Sequence, residues 1–491
     1  MRPEVLLFTA ACGAALLMIL GGSMMSEAIS APKPDPGHNV VVVQVDSMRA
    51  DRLGVYGYDR NTSPSIDRLA ADGSVFEAAT TRALWQLTGQ VSLFTSLYAH
   101  QLGMRGVSPS MARNYELATE QPNTTTLFEA FDQYGYDTAA IVGTWPGGWP
   151  QFREERTYQQ GVDQYYAPGP MLGQTVPTAL RWLDQEHREP FLLYVSSHEL
   201  HTPLEFPAPY EHMFADPSYD GPIDSYNLSY IPSKFGNYRL PFLPEEASGT
   251  PVLDDITRRD GRTIIDRENG TIPLDDTDIE HIRDHYDGGQ RLTDEHLGRL
   301  MQGLQERGLY EDTIIVVTAD NGQNLADHVD PRGNLFSLYQ VYDHTIRIPL
   351  IINAPEMDHR RIPQQAELVD VMPTLLELAG IPVSEEVQEQ MVGDSLVPLM
   401  EGEDVQPNPY VFSLGAWSSQ SVRTQDWKFI ERDAANWSDE LYDLRTDPGE
   451  TENLIEEHPQ IAERLRQQLH DWDQYFPRRN KDAVGKRGSG H

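Results

Sequence analysis

Asn39-Val-Val-Val-Val-Gln-Val-Asp46-Ser47-Met-Arg-Ala-Asp51-Arg-Leu-Gly54 begins as a run of β-branched residues and ends on acidic ones. Val40 to Val43 offer no polar face, which suits a strand buried on both sides in a parallel sheet. In open α/β sheets the chemistry gathers just beyond the carboxyl ends of the strands, where Asp46 and Ser47 fall. Thr313 to Val317 repeats the shape far along the chain, running into Thr318, Ala319, Asp320, Asn321 and Gly322. If the two strands lie side by side, Asp46, Asp320 and Asn321 converge at one sheet edge. Three hard oxygen donors there make a seat for Ca²⁺ or Mg²⁺. One Asp after a strand is explained equally well as the cap of the next helix. The pair is what points to a metal.

Composition bounds the rest. A chain of 491 residues exceeds what one simple core supports, so a large domain and a smaller one are expected. The net charge of −37 comes from 75 acidic against 38 basic residues, few of them lysine. Such a surface repels nucleic acid and anionic lipid, which argues against both as partners. It is also what solubility in concentrated salt requires, so a halophilic source is expected. The one cysteine, Cys12, lies in the apolar N-terminal segment, which excludes a structural disulfide or a thiolate zinc site in the mature chain. Val5 to Gly22 is apolar, follows Arg2 and precedes a polar stretch up to Gly37. That pattern reads as a secretory signal or an uncleaved membrane anchor through residues 5–22, so export to the extracellular side is expected. Asn-X-Ser/Thr sequons at Asn123, Asn227, Asn269 and Asn436 agree with a surface protein.

Along the chain, strands are expected at Val75 to Ala79, Thr138 to Val142, Phe191 to Val195 and Pro349 to Asn353, with helices from Ile66 and over Asp370 to Leu378. Ala83 to Thr95 reads as a loop entering a helix. Residues 205–277 hold scattered Pro, Gly, Asp and Tyr without a lasting period, so they read as an insertion over the site or a partner surface. The segment after the insertion reads as helical, with Leu297, Leu300, Met301 and Leu304 forming one apolar stripe before the Thr313 strand. From about Pro407 short alternating strands follow, at Tyr410 to Ser413, Ser421 to Arg423 and Trp427 to Glu431. A last helix carries Ile461, Leu465, Leu469 and Trp472 on one face. The expected division is a signal or anchor and linker over 1–37, an α/β domain over 38–400, an α+β subdomain over 401–476 and a basic tail over 477–491.

Several segments, in this order, carry a resemblance. They are Val45-Asp46-Ser47-Met48-Arg49-Ala50-Asp51, Pro64-Ser65-Ile66-Asp67-Arg68-Leu69-Ala70, His201-Thr202-Pro203, Asp320-Asn321-Gly322 and Arg347-Ile348-Pro349. Asp370 to Thr374 follows, and Leu441-Tyr442-Asp443-Leu444 runs through Asp447-Pro448-Gly449-Glu450 to Asn453-Leu454. Together they resemble the sulfatase family of the alkaline phosphatase superfamily over nearly the whole chain after Gly37. The resemblance implies an alkaline-phosphatase-like three-layer sandwich with a mostly parallel central sheet. It also implies hydrolysis of sulfuric or phosphoric esters beside a divalent cation acting as Lewis acid. In the family the nucleophile is formylglycine made from Cys or Ser, or Thr or Ser in phosphatase relatives, and it forms a covalent intermediate. His201 matches a segment that supplies a substrate-facing histidine, and His198 is a second candidate.

The chain departs from the family at the nucleophile. Aligned on Ser92-Leu93-Phe94-Thr95, the nucleophile position is Gln86, whose carboxamide can ligate a cation but cannot readily attack an ester. The Pro, Ser and Arg that normally follow become Thr88, Gly89 and Gln90. Gly143-Thr144-Trp145-Pro146 stands for Gly-Lys-Trp-His, and the second Asp of the first pair is Ser47. Near Tyr339 the later Lys or His has no clear equivalent. Thr88 is an alternative hydroxyl, as is Ser47, although Thr88 also serves as an ordinary helix N-cap. His328 reads equally as a site residue or a loop hydrogen bonder. Two function classes stay open. One is a metal-dependent hydrolase of sulfate or phosphate esters. The other is an inactive relative that binds a sulfated or phosphorylated glycan or small molecule.

Overall fold

Four successive valines leave the first strand no wet side, and every residue of β1 (Asn39–Val45) is buried. The same holds for β2 (Ser74–Thr80) apart from one residue, for β3 (Asp137–Ile141) and for β5 (Phe191–Ser197), while the short β4 (Gln164–Tyr166) is half-buried at an edge. A separate ribbon pairs β6 (Thr263–Asp266) with β7 (Gly270–Pro273). β8 (Thr313–Ala319), β9 (Leu350–Asn353) and β10 (Arg360–Glu367) complete an eight-stranded sheet in the order β10-β2-β9-β8-β1-β5-β3-β4. All its pairings are parallel except those of β9, which runs antiparallel to both β2 and β8. The computed structural model describes residues 37–82, 84, 86–102, 124–143, 159–185, 187–201, 204, 206–223, 263–266, 270–328, 340–415, 419–432 and 438–475.

Strands buried on both faces need cover on both. The principal helices are α1 (Pro64–Ala71), α2 (Gln86–Thr95), α3 (Leu127–Gln133), α4 (Leu172–Gln185), α5 (Asp276–Glu306) and α6 (Val371–Leu378). α5 packs with α1 and α4, and α2 packs with α3 and α6, so the helices fall into two groups around the sheet. This is the expected α/β arrangement with a mostly parallel sheet.

A second cluster lies at the C-terminal end. There β11 (Val411–Leu414), β12 (Ser419–Arg423), β13 (Trp427–Arg432) and β14 (Glu440–Asp443) form an antiparallel sheet. Phe412, Val422, Phe429 and Leu441 meet Ala462, Leu465, Leu469 and Trp472 of α7 (Pro459–Tyr475). Of the expected stripe, Ile461 is only partly buried, and Ala462 takes its place inside.

α5 starts at Asp276, directly after the insertion as expected, because Asp275 and Asp278 form a reciprocal cap. Its first half is polar yet buried, with Asp284 and Asp287 taken up by Arg60 and Arg52, and Tyr58 donating to Asp287. The insertion is not featureless. Residues 206–223 lie along α5, where Gly288 admits the carbonyl of Tyr210 so closely that a Cβ would sit 1.9 Å from it. The helix expected from Asp370 is a 3₁₀ turn over Leu368–Asp370 followed by α6.

Among the described residues no helix is long and apolar enough to cross a membrane. Cys12, residues 5–22, the four sequon asparagines, Trp85, Thr202, Pro203, residues 144–149, Tyr339 and the tail lie outside the described residues.

Candidate metal centre

The strand register builds the centre. β1 lies between β5 and β8, and Val45 is level with both Ser197 and Ala319. The next residue of each strand is therefore His198, Asp46 or Asp320, all at the carboxyl edge. Asp46 N extends the ladder by one bond to Ser197 O, 2.9 Å. Beyond it the backbone turns sharply at Ser47, a non-glycine residue with φ of +65°. Ser47 then touches both carboxylates, its hydroxyl donating to Asp46 Oδ1 (2.8 Å) and its N–H to Asp320 Oδ1 (3.3 Å). Asn321 gives its Nδ2 to Gly322 O (2.8 Å) and more loosely to Ser47 Oγ (3.4 Å). The three residues expected to meet from opposite ends of the domain do meet.

Electrostatics explain what such a cluster requires. Burial opposes ionisation of Asp46, but His201, His198 and the Ser47 hydroxyl more than offset it and hold its carboxyl below the usual range. Asp320 goes the other way, pushed well above that range by burial and then by the charge of Asp46. Asp320 Oδ2 and Gln323 Oε1 are buried without a hydrogen-bond partner among the described residues. Two facing carboxylates with an orphaned oxygen fit a hard divalent cation, which would let both ionise. Among the described residues no three His, Cys, Asp or Glu side chains close as a ligand set. The residues that would hold such an ion are Asp46 and Asp320 with the amide oxygen of Asn321, a donor type that Ca²⁺ or Mg²⁺ accepts. Such an ion supplies Lewis-acid polarisation of an ester oxygen.

The histidines take different places. His198 Nδ1 lies 2.8 Å from Asp46 Oδ2, so it braces a carboxylate of the pair. The His201 ring stands edge-on to it, centroids 6.2 Å apart, and so also lies near the pair. Arg49 is buried and bound to Asp51, Asp327 and the Gln323 carbonyl, so its charge is already matched. His328 is a loop hydrogen bonder, with Nε2 2.8 Å from Glu450 O and its ring stacked on Tyr342.

The nucleophile corner looks different. Gln86 is the first residue of α2 and is half-buried, and Thr88 is buried one position before Gly89. A Cβ at Gly89 would come within 2.8 Å of Asp320 Cβ, so α2 sits closer to Asp320 than a serine there would allow. Gln90 is fully buried and donates to Tyr194 Oη (2.9 Å), which donates to Gln44 Oε1 (2.7 Å). A neutral network thus engages Gln90, the residue that the sequence resemblance aligns with an arginine.

A family model described as Sulfatase matches residues 38–381, more than half of the chain. The chain belongs to the sulfatase family. A model for the C-terminal region of N-sulphoglucosamine sulphohydrolase matches residues 334–474. Arylsulfatase K of Mus musculus is 23% identical over 499 residues, covering 92% of this chain and 84% of the relative. Delta 4,5-hexuronate-2-O-sulfatase of Bacteroides thetaiotaomicron is 23% identical over 469 residues, covering 90% of each. Phosphonate monoester hydrolase of Agrobacterium radiobacter shares the fold with a TM-score of 0.64 at 19% identity, covering 89% of this chain and 96% of that one. A solved structure in complex with its substrate D-glucosamine-2-N,6-O-disulfate has a TM-score of 0.66 at 19% identity, covering 90% of this chain and 99% of that one. The family's general chemistry is hydrolysis of sulfate esters, and it generally uses a divalent metal ion.

Within this sulfatase-family site, sequence reasoning missed one contributor completely. Tyr286 of α5 donates its hydroxyl to Ser47 O (2.7 Å) and accepts from Arg49 N (3.0 Å). Nothing local marks it, because its partners lie in a distant part of the chain.

Proposed function

We propose that this sulfatase-family chain holds one Ca²⁺ or Mg²⁺ between Asp46, Asp320 and Asn321 and takes a sulfate or phosphate ester at that edge, without a formylglycine nucleophile. The observation that carries this reading is the buried Asp46–Asp320 pair, bridged by Ser47, with one oxygen that has no donor among the described residues. His198 orients Asp46, and His201 lies where it can meet an anionic ester. Gln86 supplies an amide rather than an attacking group. The reading is therefore of a cleft that binds a sulfated or phosphorylated glycan or small molecule, with the family's covalent route closed. Two relatives act on sulfated sugars by their printed names, which supports that ligand class. The apolar segment after Arg2 supports export, and the charge of −37 supports operation in concentrated salt.

A second reading is turnover by another hydroxyl. Thr88 favours it, because it precedes the glycine that packs on Asp320. One assay separates the two. Purified protein in molar KCl with Ca²⁺ or Mg²⁺ is offered aryl sulfate, phosphate and phosphonate esters. The binding reading expects no turnover but cation-dependent ligand affinity. Turnover abolished by both Asp320→Ala and Thr88→Ala establishes the hydrolase instead.

A further inference from the structure

We infer that Tyr286 is a positioning residue for the cation, its hydroxyl holding Ser47 in the left-handed turn that keeps Asp46 and Asp320 face to face. The inference rests on the cation reading above and deepens it. An L-residue with a side chain resists this conformation because its Cβ crowds the following carbonyl, and glycine is the residue that escapes the penalty. Glycine would lack the hydroxyl that Ser47 gives to Asp46 Oδ1. Keeping serine therefore requires something outside the turn to hold its backbone. Tyr286 does so from both ends, donating to Ser47 O and accepting from Arg49 N. Both Tyr286 and Ser47 are fully buried, so water does not compete for these bonds. If Ser47 swung to an ordinary φ, its N–H and C=O would reorient, and the contacts to Asp320 and Tyr286 would not both survive. Strain of this kind persists only where surrounding groups over-determine it.

The test is a set of cation titrations by calorimetry in molar KCl, with thermal unfolding followed in parallel. Tyr286→Phe is made in three backgrounds: wild type, Ser47→Ala and Ser47→Gly. Both substitutions of Ser47 remove the hydroxyl, but only the change to glycine removes the strain. Tyr286→Phe is expected to weaken Ca²⁺ binding roughly tenfold in the wild-type and Ser47→Ala backgrounds, the factor that corresponds to about 1.4 kcal/mol. In the Ser47→Gly background the loss should shrink to about threefold or less. If the hydroxyl serves stability alone, Tyr286→Phe lowers the unfolding temperature equally in all three and leaves the dissociation constant alone. That outcome, or an equal loss of affinity in all three, overturns the inference. Should Tyr286→Phe fold only when paired with Ser47→Gly, that rescue supports it. Failure of both to fold overturns it, since glycine should relieve the need for the clamp. Wild-type protein that binds neither Ca²⁺ nor Mg²⁺ overturns the cation reading itself, a result distinct from binding that ignores Tyr286.

Discussion

Two corners share the carboxyl edge of one sheet and differ in how they are specified. The acidic corner is set by strand register: once β1 and β8 pair with Val45 level with Ala319, Asp46 and Asp320 must face each other. The corner at the start of α2 is set by which side chains a helix happens to present in its first turn. Gln86, Thr88, Gly89 and Gln90 stand there without disturbing the core, since Gly89 fits against Asp320 and Gln90 against Tyr194. The core therefore enforces the acidic corner, whereas it leaves the side chains at the start of α2 free to vary.

The sharpest way to break this comparison is Asp320→Asn. Ca²⁺ affinity should fall on the order of a hundredfold or more, since a buried charged partner is worth about 3–5 kcal/mol. Without added cation the same variant should unfold at a higher temperature than wild type, because two buried carboxylates no longer oppose each other. A metal-free unfolding temperature that drops would mean the pair is held by something other than an ion.

His198→Ala should weaken the cation about tenfold, the usual scale for groups that orient a ligand carboxylate. Calorimetry reads it directly, and no change would demote His198 to a bystander.

A third check separates the α5 side of the molecule from the cation. His285 is buried beside His281, its pKa pushed down to about 4 by burial and then by the neighbouring histidines. The unfolded chain therefore takes up the proton first as pH falls, so the stability contributed is complete above about 6.5 and is lost toward pH 4. His285→Phe should flatten that pH dependence by about 1 °C in unfolding temperature, the shift that about 1 kcal/mol makes in a chain of this size. An unchanged slope would show that the acid-labile group lies elsewhere.

The smallest effect belongs to the other corner. Gln86→Ala should change Ca²⁺ affinity by no more than about twofold. Gln86→Cys, coexpressed with a formylglycine-generating enzyme, should gain little sulfatase activity. Strong activity in that variant would show that the remaining losses do not matter.

What the sequence revealed follows the same division. The β-branched runs at Val40 and Thr313, each ending on an acid, were legible because a strand buried on both faces has to be apolar throughout. Their meeting placed Asp46, Asp320 and Asn321 together, as expected. The segment after the insertion was legible as helix, but the burial of its first half was hidden, because its inward faces carry Asp284, His285 and Asp287, and the two carboxylates find their partners in a distant loop. β10 was missed because arginines and glutamines line an edge strand with few apolar positions. Motif alone puts His201 ahead of His198, yet His198 is the one hydrogen-bonded to Asp46. Ser47 looked like a missing ligand, and its backbone conformation and its dependence on Tyr286 have no sequence signature.

The most direct test is a crystal structure of the protein grown with Mn²⁺ or Ca²⁺ and inspected for anomalous signal. One peak is expected, with oxygens of Asp46 and Asp320 at about 2.0–2.6 Å and the Asn321 amide oxygen completing the set. A structure in which those carboxylates stay bonded only to protein, with no peak between them at millimolar cation, would contradict the cation site.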